Sequence, residues 1–207
     1  MRLIETEADV AEGAAWLADR FPPFAMALDR TGPWPLRRRP EGFTELFRTI
    51  VYQQVSLTSA GAVWARAEAA GITTEAGLLA APEETLIAVG LTRAKQRYAR
   101  ALAEARIDYA GLHRMSDEAA AARLMEVPGI GRWTAEIYVT FSLGRPDVMA
   151  AGDIALQEGT RQLFSLPARP KEKELRDIAA AWSPWRSVAA RGLWAYYLKA
   201  KNWEGEW

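Results

Sequence analysis

Apolar positions recur with a helical period along nearly the whole chain. Phe43, Leu46, Phe47, Ile50 and Val51 stand at i, i+3, i+4, i+7 and i+8, which lays one apolar stripe along an amphipathic helix. A second helix is predicted from near Ser56 or Thr58, through Val63 and Trp64, to Ala70, where Gly71 stops it. Pro82 suits the first position of a short helix that reaches Val89 and ends at Gly90. Thr92 then caps a helix running to about Ala105, and Ser116 opens another that ends near Glu126. Val127-Pro128-Gly129-Ile130-Gly131 breaks the pattern sharply. The next helix is expected from about Arg132 to Leu143, with Thr134, Ile137, Tyr138 and Phe141 on one face. Gly144 to Asp147 reads as a turn, Gly152-Asp153 as a helix start, and Leu175 to Trp182 as one further helix. Ser183-Pro184 predicts the last helix start, with Ser as cap and Pro at the first helical position. Thr31 to Pro40 reads as a loop between an N-terminal helical piece, about residues 1–40, and the main body. No stretch alternates as a strand does. The expected class is therefore all-α: one domain over residues 1–207, in two helical lobes with a central cleft, the N-terminal piece packing with the C-terminal helices.

Composition narrows the chemistry. There are no cysteines, which excludes disulfides, thiolate zinc, iron–sulfur clusters and a cysteine nucleophile. The single histidine, His113, cannot build a multi-histidine metal site and reads as a solvated loop residue. The N-terminus lacks the features of a signal peptide, and no segment approaches the roughly 18 apolar residues of a membrane span. The expectation is a cytoplasmic protein with no membrane partner. Lysine and arginine balance aspartate and glutamate at 26 each, so the chain lacks the basic excess common in DNA binders. Charge is nonetheless local: Arg37-Arg38-Arg39 forms a cluster, and Thr92 to Arg106 is basic. Such patches serve either a nucleic acid or an ordinary solvated face.

The most informative segment runs from Leu124 to Glu158. Its helix, tight Pro-Gly-x-Gly turn and second helix, over about residues 116–143, suit an anion. The N–H groups of Gly129, Gly131 and the following turn, with Arg132 and Thr134, stand at a helix N-terminus, and glycine permits close approach of a phosphate. The bland alternative is a glycine-capped corner between two helices.

This segment resembles the helix-hairpin-helix base-excision glycosylases, in which an aspartate follows the last hairpin glycine by about twenty residues; here that is Asp153. The resemblance is closest to the 3-methyladenine glycosylase II branch. Ile50-Val51-Tyr52-Gln53-Gln54-Val55-Ser56, Gly90-Leu91-Thr92-Arg93-Ala94-Lys95 and Trp182 to Ala190 resemble three further motifs of that branch, in the same order. The resemblance implies a monofunctional enzyme of DNA repair that acts as a monomer on duplex DNA. It would flip out an alkylated purine and hydrolyse its glycosidic bond.

The resemblance assigns Asp153 to stabilising the sugar's oxocarbenium charge and orienting water. Taken alone, Asp153 reads as a helix N-cap, and both roles can hold together. Where strand-cutting members carry a lysine that forms a Schiff base, this chain has Trp133, which implies hydrolysis without strand cleavage. Trp133, Trp194 and Ile137 are implied to line the base pocket, where aromatic faces attract a cationic base; core packing is the alternative for each Trp. Ile137, and Ile154 beside Asp153, stand where relatives often have aromatics. Gln54 is implied to fill the hole left by the flipped base, with Gln53 and Ser56 contacting the backbone or supporting the loop. Arg93, Lys95 and Arg186 are candidates for phosphate contact or indirect support. No cofactor is required; a Na+ or K+ ion on the main-chain carbonyls of Met125, Val127 and Ile130 is implied at the hairpin. The alternatives are the same scaffold acting on hypoxanthine or ethenoadenine, a non-catalytic module for damaged DNA, and a structural helical protein.

Overall fold

A computed structural model describes residues 2–201. Its helices, in chain order, are α1 (Glu7–Arg20), α2 (Pro22–Thr31), α3 (Phe43–Tyr52), α4 (Leu57–Ala69), α5 (Glu75–Ala80), α6 (Glu83–Val89), α7 (Arg93–Glu104), α8 (Tyr109–Leu112), α9 (Asp117–Met125), α10 (Arg132–Phe141), α11 (Ile154–Leu163), α12 (Glu172–Ala179) and α13 (Arg186–Ala200). A single 3-10 turn, Ala180–Trp182, follows α12, and the described residues contain no strand. The class is all-α. None of these helices is long and apolar enough to cross a membrane.

The chain divides into two compact units. One comprises residues 1–38 and 139–207, the other residues 39–138, so the division falls inside α10. In the first unit, α13 packs against α11, α2 and α1. Small residues allow this close packing. A Cβ at Gly13 would lie 2.6 Å from the Trp185 ring, and one at Gly159 would lie 2.9 Å from the Leu193 carbonyl. Phe24 anchors an aromatic cluster in which Trp182 and Phe164 meet its ring edge-on at 5.2 and 5.5 Å. In the second unit, α3 and α5 pack on α7, and α4 on α3 and α6, around buried Leu46, Phe47, Ile50, Leu78, Leu86, Ala99 and Leu102.

Local chemistry sets most helix starts. Ser56, Thr92 and Ser116 each accept a hydrogen bond from the backbone N–H three residues on. Gly90 takes the left-handed conformation that ends α6. Pro82 lies one position earlier than expected, as the cap of α6 rather than its first residue. Two short helices were not expected from the pattern, α5 capped by Thr74 and α8 capped by Asp108. Neither is long enough to show a period.

Three expectations are corrected. The last helix starts at Arg186, not after Ser183: Ser183 ends the preceding 3-10 turn, its hydroxyl donates to Asp147 Oδ2 at 2.7 Å, and the Asp147 carboxylate accepts the Arg186 N–H at 3.3 Å at the start of α13. His113 is not merely solvated, since its Nε2 lies 2.8 Å from Glu41 Oε2. The cluster at 37–39 is not only surface: Arg38 donates to the Ser142 carbonyl at 2.6 Å, and Arg39 faces Glu45 at 3.4 Å.

Candidate active site and nucleic-acid interface

The hairpin lies in the second unit. It joins α9 to α10 through residues 126–131, and its two glycines do different work. Gly129 has φ +91°, and a Cβ there would lie 2.7 Å from Cβ and Cδ2 of Tyr98 on α7. The turn needs this glycine for its backbone and for the close approach of Tyr98. Gly131 has no such internal reason: it is exposed, and a Cβ there would meet nothing within 4 Å. Its surface is open to a ligand that must come close to the backbone, at the positive end of α10.

One side chain clamps the turn. Gln53 Nε2–H donates to the Gly129 carbonyl and to Thr134 Oγ1, each at 3.1 Å. Thr134 is buried, so its hydroxyl serves the turn. Gln53 thus supports the hairpin. The next residue, Gln54, is exposed and has φ +57°, a left-handed conformation that a non-glycine side chain adopts at a cost of about 1–2 kcal/mol. Val55 and Leu57 beside it are exposed, and Ser56 caps α4. Lys95 Nζ donates to the Val51 carbonyl at 2.6 Å and fastens the end of α3; burial lowers its pKa from the usual lysine value. Arg132 pairs with Glu118 at 3.0 Å and approaches Glu136 at 3.5 Å. Arg93 is exposed.

Trp133 and Ile137 stand one turn apart on α10. Trp133 is 40% exposed, whereas Ile137 is buried. The hairpin carbonyls of Met125, Val127 and Ile130 are neutral oxygen donors. That of Val127 accepts the Ile130 N–H at 3.0 Å and keeps a second lone pair. This donor set suits a weakly held monovalent cation. The described residues contain no group of three carboxylates or histidines that would hold a metal.

The acid lies in the first unit. Asp153 is the N-cap of α11, its Oδ1 accepting the Leu156 N–H at 3.0 Å. The same oxygen accepts Trp194 Nε1–H at 3.3 Å. Trp194 is buried and its ring packs on Phe141 with centroids 5.6 Å apart. Arg191 lies over the Phe141 ring at 4.8 Å. Both donors fall on the same oxygen and orient the carboxylate. Ile154, the next residue, is 62% exposed at the start of α11. Arg186 binds Asp147 through Nε at 2.7 Å and a second nitrogen at 2.9 Å. Sequence reasoning passed over Asp147, Phe141 and Tyr98. Their partners lie far along the chain, and only the Ser-Pro-Trp-Arg motif marked one end of the Asp147 pair.

The family described as HhH-GPD superfamily base excision DNA repair protein matches residues 47–185. DNA-3-methyladenine glycosylase 1 of Schizosaccharomyces pombe is 32% identical over 170 residues, which cover 75% of this chain and 72% of that protein. Among solved structures, a DNA-3-methyladenine glycosidase from Bacillus halodurans superposes with a TM-score of 0.82 at 30% identity, covering 98% of this chain and 96% of the other. The S. pombe 3-methyladenine DNA glycosylase Mag1, in complex with abasic DNA, superposes with a TM-score of 0.77 at 27% identity, covering 92% and 97%. The chain belongs to the HhH-GPD superfamily of base excision DNA repair proteins.

Proposed function

We propose that this protein is a monofunctional DNA glycosylase that removes alkylated purines of the 3-methyladenine and 7-methylguanine type from duplex DNA, acting as a monomer. The observation that carries the reading is the Asp153 carboxylate, oriented through Oδ1 by the Leu156 and Trp194 N–H groups. The relatives' names, both 3-methyladenine glycosylases, support the substrate class.

The hairpin grips a phosphate through its backbone N–H groups and reads no sequence. Met125, Val127 and Ile130 would hold a Na+ or K+ ion by their carbonyls, and that ion would add positive charge beside the phosphate. Gln54, held in its strained turn, fills the space of the extruded base. Flipping costs a few kcal/mol, and stacking on an aromatic such as Trp133 returns about 1–3 kcal/mol, so a normal base gains little. A cationic alkylpurine gains roughly 0.5–2 kcal/mol more from the ring face, enough to favour damaged bases.

As the C1′–N bond breaks, its electron pair leaves with the purine and neutralises the base's positive charge. Positive charge grows on the sugar, and the Asp153 carboxylate stabilises it. Water then bonds to C1′ and gives up a proton, to Asp153 or to solvent. At the position of the strand-cutting lysine, Trp133 offers no amine, so the product is an intact strand with an abasic site.

The test is to incubate methylated DNA with the protein and identify the bases released. The reading expects 3-methyladenine and 7-methylguanine, an uncut strand before alkali, and no adduct trapped by borohydride. Release of hypoxanthine or ethenoadenine alone would transfer the assignment to that specificity, and a trapped adduct would contradict the role of Trp133.

A further inference from the structure

Arg191 is a fully buried cation on α13, and among the described residues no carboxylate forms an ion pair with it. Its Nε donates to the Leu36 carbonyl at 3.1 Å, and its Nη1 to the Ser187 carbonyl, one turn back, at 2.8 Å. Nη2 is buried without an acceptor among the described residues. Burial, with the charges of Arg37 and Arg38, pushes the guanidinium down to about 9, which leaves it a cation at neutral pH. Burying a charge without a counter-charge is costly. The two carbonyls account for the hydrogen bonds of Arg191 and not for its charge. Its remaining contact is the ring face of Phe141, 4.8 Å from the guanidinium carbon, which attracts a desolvated cation. Held by carbonyls on α13 and on a segment outside it, the planar fork has a fixed orientation, which a lysine would lack.

We propose that Arg191 is a positioning residue for base release: through Phe141 it holds the Trp194 indole in place to donate to Asp153. The four residues lie in one unit and form an unbroken chain of contacts. Arg191 and Trp194 stand at i and i+3 on one side of α13, and both rest on the Phe141 ring, the Trp194 centroid at 5.6 Å. The Trp194 N–H then reaches Asp153 Oδ1 at 3.3 Å. That distance is long for a hydrogen bond, so a small rotation of the indole would lose it. A cation clamped on the ring that backs the indole resists that rotation. The inference rests on the role proposed for Asp153, and it extends the support of that carboxylate to a residue that touches neither acid nor base.

The test reads the indole directly. In protein carrying isotope-labelled tryptophan, the Trp194 Nε1–H resonance, assigned by its loss in Trp194→Phe, is followed by NMR for hydrogen exchange in wild type and Arg191→Met. Exchange at Trp194 should quicken about fivefold in Arg191→Met, while the buried Trp182 indole of the same unit keeps its rate. Single-turnover base release should fall about threefold at unchanged duplex affinity. In the Trp194→Phe background Arg191→Met should cost nothing more, because the link is already cut. Phe141→Leu keeps Arg191 and removes the ring between, so it should quicken Trp194 exchange likewise and supplies the reading if Arg191→Met does not fold. Unchanged exchange at Trp194, equal quickening at Trp182, or rate losses that multiply in the double variant would each overturn this inference alone. If wild type releases no base, the functional reading falls first and the positioning role with it, whatever the indole does.

Discussion

Trp194 donates its indole N–H to Asp153 Oδ1 across 3.3 Å, from α13 to the cap of α11, while its ring packs on Phe141. The indole is thus both a donor and a packing surface, and the two roles separate by substitution. Trp194→Phe keeps the aromatic packing and removes the donor. A hydrogen bond of this length to a carboxylate is expected to be worth about 1–1.5 kcal/mol, so the single-turnover rate of base release should fall about tenfold with duplex affinity near that of wild type. Trp194→Ala should instead destabilise the first unit, since emptying an aromatic site costs about 3–5 kcal/mol. An unchanged rate in Trp194→Phe would show that the donor does not orient the acid.

The two hairpin glycines give a contrast between folding and binding. Gly129→Ala forces a side chain into φ +91° and against Tyr98, so it should destabilise the protein by about 1–3 kcal/mol in urea unfolding. Gly131→Ala meets nothing inside the protein and should leave stability within about 0.5 kcal/mol of wild type. It should still weaken duplex binding, because the methyl group occupies the path of the phosphate. Normal binding by Gly131→Ala would show that the backbone there is not approached.

Asp147 supplies a pH dependence. Partial burial acts to raise its carboxyl, but hydrogen bonds from Arg186 and Ser183, with the Arg186 charge, prevail and hold it below the ordinary aspartate value. A depressed folded-state value means that the stabilisation is fully present above the unfolded value of about 4 and is lost as pH falls through the folded value. Asp147→Asn should therefore cost about 1–2 kcal/mol near neutral pH, a modest figure because the Arg186 side chain is 35% exposed. The difference from wild type should shrink in acid denaturation below pH 4. A gap constant with pH would place the effect in packing rather than charge.

Much of the helical frame was legible because its signals are local. Ser56, Thr92, Ser116 and Asp153 cap helices through a bond that closes within three residues, and Gly90 ends one by its own backbone. The hairpin glycines stood out through their local turn pattern, and Asp153 was singled out through the family resemblance. What escaped depends on distant partners. Gln53 finds Gly129 and Thr134, 76 and 81 residues away, and nothing in the Gln-Gln-Val-Ser motif separates that clamp from a contact with DNA. Ser183 carries a sound capping pattern, yet the helix starts three residues later, where Asp147, 39 residues before Arg186, accepts the Arg186 N–H. For Lys95 and Arg186 the sequence left phosphate contact and indirect support both open, and it set Arg132 at the hairpin, because a sequence shows charge without its counter-group. The structure gives them the Val51 carbonyl, Glu118 and Asp147.

The most direct measurement compares Asp153→Asn with wild type on methylated duplex DNA, following base release and duplex binding in parallel. Asparagine still caps a helix well, so α11 should form and the protein should fold. The account predicts release slowed at least about a hundredfold, with affinity for the duplex within about twofold. Release at the wild-type rate would contradict it, because the negative charge at this position would then have no part in breaking the bond.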